Sequence, residues 1–185
     1  MTERQDKVNV FAIGCSWTEN WPRYVPCDST CLDGKGIDTF RRTLKGHDDL
    51  VKYDTVIVQL PTPIRRGEGY TAAGVAAYVK RVAGVGEKVA RMWLLHKYME
   101  DVKAIAALHR DVRFLLLEVG GYPFRKPFDF GEDARRHLIA SLPQDLIRLD
   151  FGDDKRYWLN ENNYHPGVLA CEAVAKEVRL CCARC

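Results

Sequence analysis

The chain has no run approaching the roughly 18 to 20 apolar residues that a membrane-spanning helix requires. Its hydrophobic residues, 46% of the total, come in short blocks. Charge of one sign is scarce as well: 28 Lys and Arg stand against 25 Asp and Glu, a net +3. That is too little to argue for nucleic acid as the main partner. The segment Met1 to Lys7 is charged, and the apolar run after it is short and stops at Gly14-Cys15-Ser16, which is not the pattern of a secretory signal. Internal repeats, low-complexity tracts and obvious linkers are missing, so the 185 residues are expected to form one domain spanning 1–185. No grouping of carboxylates suits a metal ion. The expectation is a soluble, cytoplasmic protein with no metal, no cofactor, no membrane partner and no nucleic-acid partner. Its oligomeric state is not legible.

Cysteine is present but in an odd number. The seven are Cys15, Cys27, Cys31, Cys171, Cys181, Cys182 and Cys185. Cys27 and Cys31 with Cys182 and Cys185 offer a four-thiolate zinc arrangement in principle. The first spacing is looser than the usual knuckle and the second pair lies at a terminus. Free thiols in a reducing compartment are the preferred reading.

Apolar runs bounded by turn residues recur at Val8–Ile13, Thr55–Leu60, Val112–Val119 and Leu146–Leu149. The first three are rich in Val, Ile and Leu with little alternation, as strands covered on both faces should be. Helical spacing lies between them. Leu95, Tyr98, Met99, Val102, Ile105 and Ala106 follow three-four spacing, as do Cys171, Val174, Ala175, Val178 and Cys181. Pro166 is placed at the first turn of the last helix, with Asn162 or Asn163 helping to cap it. Gly131 to Leu142 reads as a further short helix. The glycine-rich stretch Arg65 to Gly86 reads as a loop and helix over the rim, a lid, and Gly120 to Asp129 as a second rim loop. Strands alternating with helices imply an α/β fold: a three-layer sandwich with a mostly parallel central sheet.

Such sheets bind ligands at the carboxyl ends of their strands. Ser16 follows the first strand directly, and His165 follows the last one, so both reach the same rim. A hydroxyl is a weak nucleophile at neutral pH until a base takes its proton, which makes this pair a candidate acyl-transfer site. Cys15 beside Ser16 is a less suitable nucleophile, because neighbouring residues at a strand end point in opposite directions. Arg65 also follows a strand end and is placed to bind a carboxylate or phosphate. Arg41 and Arg42 read as solvated surface charge. Trp17 and Trp21 read as core packing rather than a sugar-binding face.

These residues, in this order, resemble the SGNH, or GDSL-like, hydrolase family, and among them the small members with a Gly-Cys-Ser start. Gly14-Cys15-Ser16-Trp17-Thr18 fits the first block, and Trp21-Pro22 follows it. Gly34-Lys35-Gly36-Ile37-Asp38 fits a Gly-x-Gly-x-Asp stretch. Gln59, Pro63 and Arg65 fit Gln-x-x-x-Pro-x-Arg, and His165-Pro166 fits the last block. The resemblance covers nearly the whole chain and implies a flavodoxin-like fold. It implies Ser16 as nucleophile at the start of a helix, His165 as base, and the N–H groups of Ser16 and Gly36 as oxyanion donors. The chain departs from the pattern twice. Asn162 and Asn163 occupy the positions where the family carries its acid. Asparagine can orient a histidine but stabilises an imidazolium less well; Asp153, Asp154 or Glu161 are other sources of a carboxylate. Gln59-Leu60-Pro61-Thr62 stands where the family has Gly-x-Asn-Asp, so Gln59 or Thr62 would have to replace the missing donor. The expected function is an esterase or acyltransferase acting on a small acyl ester, such as O-acetyl on a carbohydrate or another small molecule. The alternative is a weakened or inactive binding module on the same fold.

Overall fold

The structure, a computed structural model, describes residues 9–61, 63, 84–118, 132–143, 146–160 and 163–183. Among them, β1 (Val10–Gly14), β2 (Cys27–Cys31), β3 (Thr55–Gln59), β4 (Val112–Glu118) and β5 (Ile147–Asp150) form one sheet in the order β2-β1-β3-β4-β5. Every neighbouring pair is parallel. The described helices are α1 (Ile37–Lys45), α2 (Glu87–Ala106), α3 (Glu132–Ser141) and α4 (Val168–Cys182). This is the α/β, flavodoxin-like arrangement that the motif order implies.

Right-handed crossovers fix the layers. The steps from β2 to β3, β3 to β4 and β4 to β5 all run the same way along the sheet, so α1, α2 and α3 share one face, where α2 touches both of the others. The step from β1 to β2 runs the other way and carries two 3₁₀ turns, Ser16–Glu19 and Trp21–Tyr24, over the opposite face. There α4 packs on the second turn. The direction of travel reverses at β1 and β3, the switch point where such sheets open a crevice at their carboxyl ends.

β1 and β3 are buried at every position, and β4 is buried over its last five residues. Apolar residues without alternation are what strands sealed on both faces require. Across the helical face, Phe11 packs against the rings of His47 and Tyr53. Arg41 is not purely a surface charge: its Nε lies 3.2 Å from Oδ1 of the buried Asp101, tying α1 to α2.

Three local expectations are corrected. β2 is a strand that composition did not announce. Because it is extended, Cys27 and Cys31 stand about 13 Å apart at about 3.3 Å per residue, too far to share one ion. His165 lies on a strand, β7 (Asn163–Pro166), which pairs antiparallel with β6 (Trp158–Asn160) as a separate hairpin. Pro166 therefore ends a strand instead of opening a helix, and the residue capping α4 is Gly167. The 65–86 lid, except for its last three residues, and the 120–129 rim loop lie outside the described residues.

Candidate active site

Ser16 sits two residues beyond the end of β1, at the first position of a four-residue 3₁₀ turn. The turn closes through Thr18 N–H donating to the Cys15 carbonyl at 2.8 Å. The expected helix start is thus a short turn, and any dipole it offers is smaller than a full helix would give. Cys15 is buried at 8% exposure, while Ser16 is half-buried at the rim. That is the division of directions expected of neighbours at a strand end.

His165 reaches the same place from the hairpin. Its Nε2 lies 2.9 Å from Ser16 Oγ. For the hydroxyl to donate, the imidazole must carry its proton on Nδ1. Trp17, itself buried, sets the indole edge-on to the imidazole, with ring centroids 6.4 Å apart. The hairpin is held close to α4: Gly167 N–H donates to the Tyr157 carbonyl at 2.8 Å, and a Cβ on Gly167 would stand 2.5 Å from the Trp158 carbonyl oxygen.

Gly36 is buried and caps the start of α1, where its carbonyl accepts the N–H groups of Thr39 and Phe40 at 3.0 and 3.3 Å. It follows β2, whose exit runs beside β1: Leu32 N–H donates to the Gly14 carbonyl at 2.7 Å. Gly36 and Ser16 are therefore on adjacent strand exits of one rim.

Gln59 ends β3 at 1% exposure. Its Oε1 accepts the Thr18 hydroxyl at 2.6 Å and Trp21 Nε1–H at 3.2 Å. Its Nε2 is enclosed and has no hydrogen-bond partner among the described residues. The sequence singles out Gln59 but not its partners, although Thr18 and Trp21 both stand in the motifs near Ser16. A second missed contact lies beneath the rim. The Tyr98 hydroxyl, fully buried on α2, donates to the Pro61 carbonyl at 3.1 Å and so holds the chain just after β3. Burial holds that phenol well above its ordinary pKa.

Of the other expected residues, Thr62, Arg65, Glu161 and Asn162 lie outside the described residues, and only the backbone of Asn163 is described, on β7 opposite Asn160. Asp154 is committed elsewhere. Its carboxylate caps the 155–157 turn and accepts Arg156 N–H, Nε–H and the guanidinium terminus at 3.1, 3.0 and 2.6 Å. The Arg156 side chain holds its pKa below the usual aspartate value. Asp153 is exposed on the preceding turn. No described helix is long and apolar enough to cross a membrane.

No family model matches the chain, and no curated protein matches it in sequence. Solved structures do match. A candidate acylhydrolase from Bacteroides fragilis superposes with a TM-score of 0.60 at 12% identity, over 97% of this chain and 88% of that one. An α/β-hydrolase enzyme from the metagenome of Lake Arreo, Spain, gives 0.51 at 11% identity, over 95% of both chains. A GDSL-like lipase from Bacteroides thetaiotaomicron gives 0.48 at 11% identity, over 96% of this chain and 89% of that one. At these identities the likeness to the first two is one of fold alone, and it is the α/β fold that the motif order implies.

Proposed function

We propose that the protein is a serine hydrolase of the SGNH type, an esterase or acyltransferase that removes or passes on a small acyl group. The observation that carries this reading is the 2.9 Å contact between Ser16 Oγ and His165 Nε2 at the carboxyl rim of the sheet. Ser16 gives its proton to His165 Nε2 as its oxygen attacks the acyl carbon. The oxyanion that forms is held by the backbone N–H groups of Ser16 and Gly36, which are fixed before the charge develops. Gln59, through Nε2, or Thr62 is the side chain assigned to complete the hole. The carbon–oxygen bond to the leaving alcohol breaks, and His165 returns the proton to that alkoxide. Water, or an acceptor alcohol in the transferase case, then attacks the acyl-serine by the same steps in reverse.

Asn162 and Asn163 are assigned to orient the imidazole by accepting Nδ1–H through a side-chain carbonyl. An asparagine in the carboxylate's role stabilises the imidazolium less, so a Ser-His pair oriented in that way turns over more slowly. Arg65 is assigned to an anionic group on the substrate. The substrate class is a small-molecule ester, with O-acetyl carbohydrate the first to try, and the setting is a single cytoplasmic domain spanning residues 1–185. The two departures from the family pattern favour a second reading, a binding module on the same fold. One experiment separates the two: labelling with a fluorophosphonate and mapping the adduct, alongside hydrolysis of a short-chain aryl ester by the parent and by Ser16→Ala. Labelling at Ser16, with ester hydrolysis lost in S16A, supports the enzyme. Equal hydrolysis by both proteins removes it, and an unlabelled protein that still binds a sugar or anion supports the module.

A further inference from the structure

We propose that Gln59 is a positioning residue for Ser16, acting through Thr18 and Trp21. The proposal rests on the reading of Ser16 as nucleophile. Trp21 Nε1–H can only donate, so the amide atom facing it must be the oxygen, which settles the orientation of the Gln59 side chain. That single oxygen takes the Thr18 hydroxyl at 2.6 Å and the Trp21 indole at 3.2 Å. Thr18 belongs to the turn that carries Ser16, and Trp21 opens the next turn. All three side chains are sealed from solvent, at 0%, 0% and 1% exposure for Thr18, Trp21 and Gln59. One buried acceptor at the end of β3 therefore clasps both turns that follow β1.

Two further facts show why the clasp matters. A four-residue 3₁₀ turn has poorer hydrogen-bond geometry than a helix and little persistence of its own, and Cys15 caps this one without a side-chain bond. In addition, Gly14 clears the path: a Cβ there would overlap Thr18 Oγ1 and stand 2.8 Å from Gln59 Cβ. The arrangement also carries a cost, since Gln59 Nε2 is buried without a partner among the described residues. An apolar side chain would remove that nitrogen but leave the buried Thr18 hydroxyl and Trp21 N–H without their acceptor, so the oxygen by itself gives glutamine a role here. By fixing Thr18, it fixes the direction in which Ser16 Oγ meets His165.

The test compares the parent with Thr18→Val, which keeps the shape and removes the hydroxyl, and Thr18→Ser, which keeps the hydroxyl. Two quantities are read: the rate of fluorophosphonate labelling at Ser16, and the ¹⁵N shift of His165 Nε2. T18V is expected to slow labelling by about ten- to a hundredfold, the scale of a small misplacement of reacting groups. Its Nε2 shift should move toward that of a nitrogen with no hydrogen bond. T18S should restore both to within a few-fold of the parent. Parent-like labelling and shift in T18V would overturn the proposal, and so would equal losses in T18V and T18S, which would mark a packing effect. Because T18V leaves the Gln59 nitrogen in place, an oxyanion role for that nitrogen does not produce the expected loss. If T18V does not fold, Trp21→Phe removes the other donor and must slow labelling and shift Nε2 in the same direction; no change overturns the clasp. An unlabelled parent protein would defeat the hydrolase reading alone, and the His165 shift would still decide the clasp.

Discussion

Ser16 and His165 are separated by 149 residues of chain, yet their side chains meet at 2.9 Å. The serine rides on the exit of a central strand, and the histidine on a hairpin outside the main sheet. If their contact is the proton path, replacing either partner should remove reactivity without removing the fold. His165→Gln is expected to cut fluorophosphonate labelling by at least about a thousandfold. The Ser16 contact itself should account for only about 1 kcal/mol of urea-unfolding stability, the ordinary worth of a half-exposed hydrogen bond. Labelling at the parent rate in H165Q would show that the contact is incidental.

Gly167 sets how closely the hairpin sits on α4. Adding a methyl group there forces an approach of 2.5 Å onto the Trp158 carbonyl oxygen, a backbone atom that cannot rotate away. Gly167→Ala should therefore lose about 1 to 3 kcal/mol by overpacking. It should also displace His165, so that labelling falls by more than the stability loss explains. Measuring both on one preparation checks this, and an unchanged labelling rate alongside a clear stability loss would detach the hairpin from the chemistry.

Tyr98→Phe tests the anchor beneath the rim. The ring still fills its buried site, but the Pro61 carbonyl loses its 3.1 Å donor. Leaving a buried acceptor unmet costs about 1 to 3 kcal/mol, which chemical denaturation can read directly. A variant as stable as the parent would mean that another donor satisfies Pro61.

The thiols of Cys27 and Cys171 give a pH dependence with a definite sign. Burial, the first cause for each, raises both from 9.0 to about 11, with Asp28 adding to the rise for Cys27. Both stay protonated in the folded chain where the unfolded chain would release the proton. Stability from these groups is therefore complete below pH 9 and declines as pH climbs toward 11. Thermal melts across that window should show the decline. Iodoacetamide should modify these two thiols slowly at pH 8, since the thiolate is the reacting form.

How much of this was legible depended on how each segment is covered. β1, β3 and β4 announced themselves because strands sealed on both faces need apolar residues at every position. β2 did not. It lies at the sheet edge with most positions exposed, so Cys27-Asp28-Ser29-Thr30-Cys31 carries no hydrophobic signal, although its backbone pairs with β1 along its whole length. The hairpin was hidden for a related reason: Asn163 to Pro166 has no apolar alternation, and a proline near a helix start reads as its first residue. The meeting of Ser16 and His165 could be anticipated from topology, since both follow strands and strand exits share a rim. The clasp on Gln59 could not. It depends on strand alternation bringing Gly14 and Gln59 to one face, and on a hydrogen atom standing where any other residue would put a methyl.

The hairpin follows the described sheet strands in chain order, and that order has a consequence during synthesis. At about 5 to 20 residues per second, a ribosome that has just added Ser16 needs between roughly 7 and 30 s to cover the 149 residues to His165. The five described strands of the sheet, ending at Asp150, are made before His165 is added. Under the proposed role of this pair, a nascent chain that stops short of the hairpin displays an ordinary alcohol, and Ser16 gains its base only once His165 has been added.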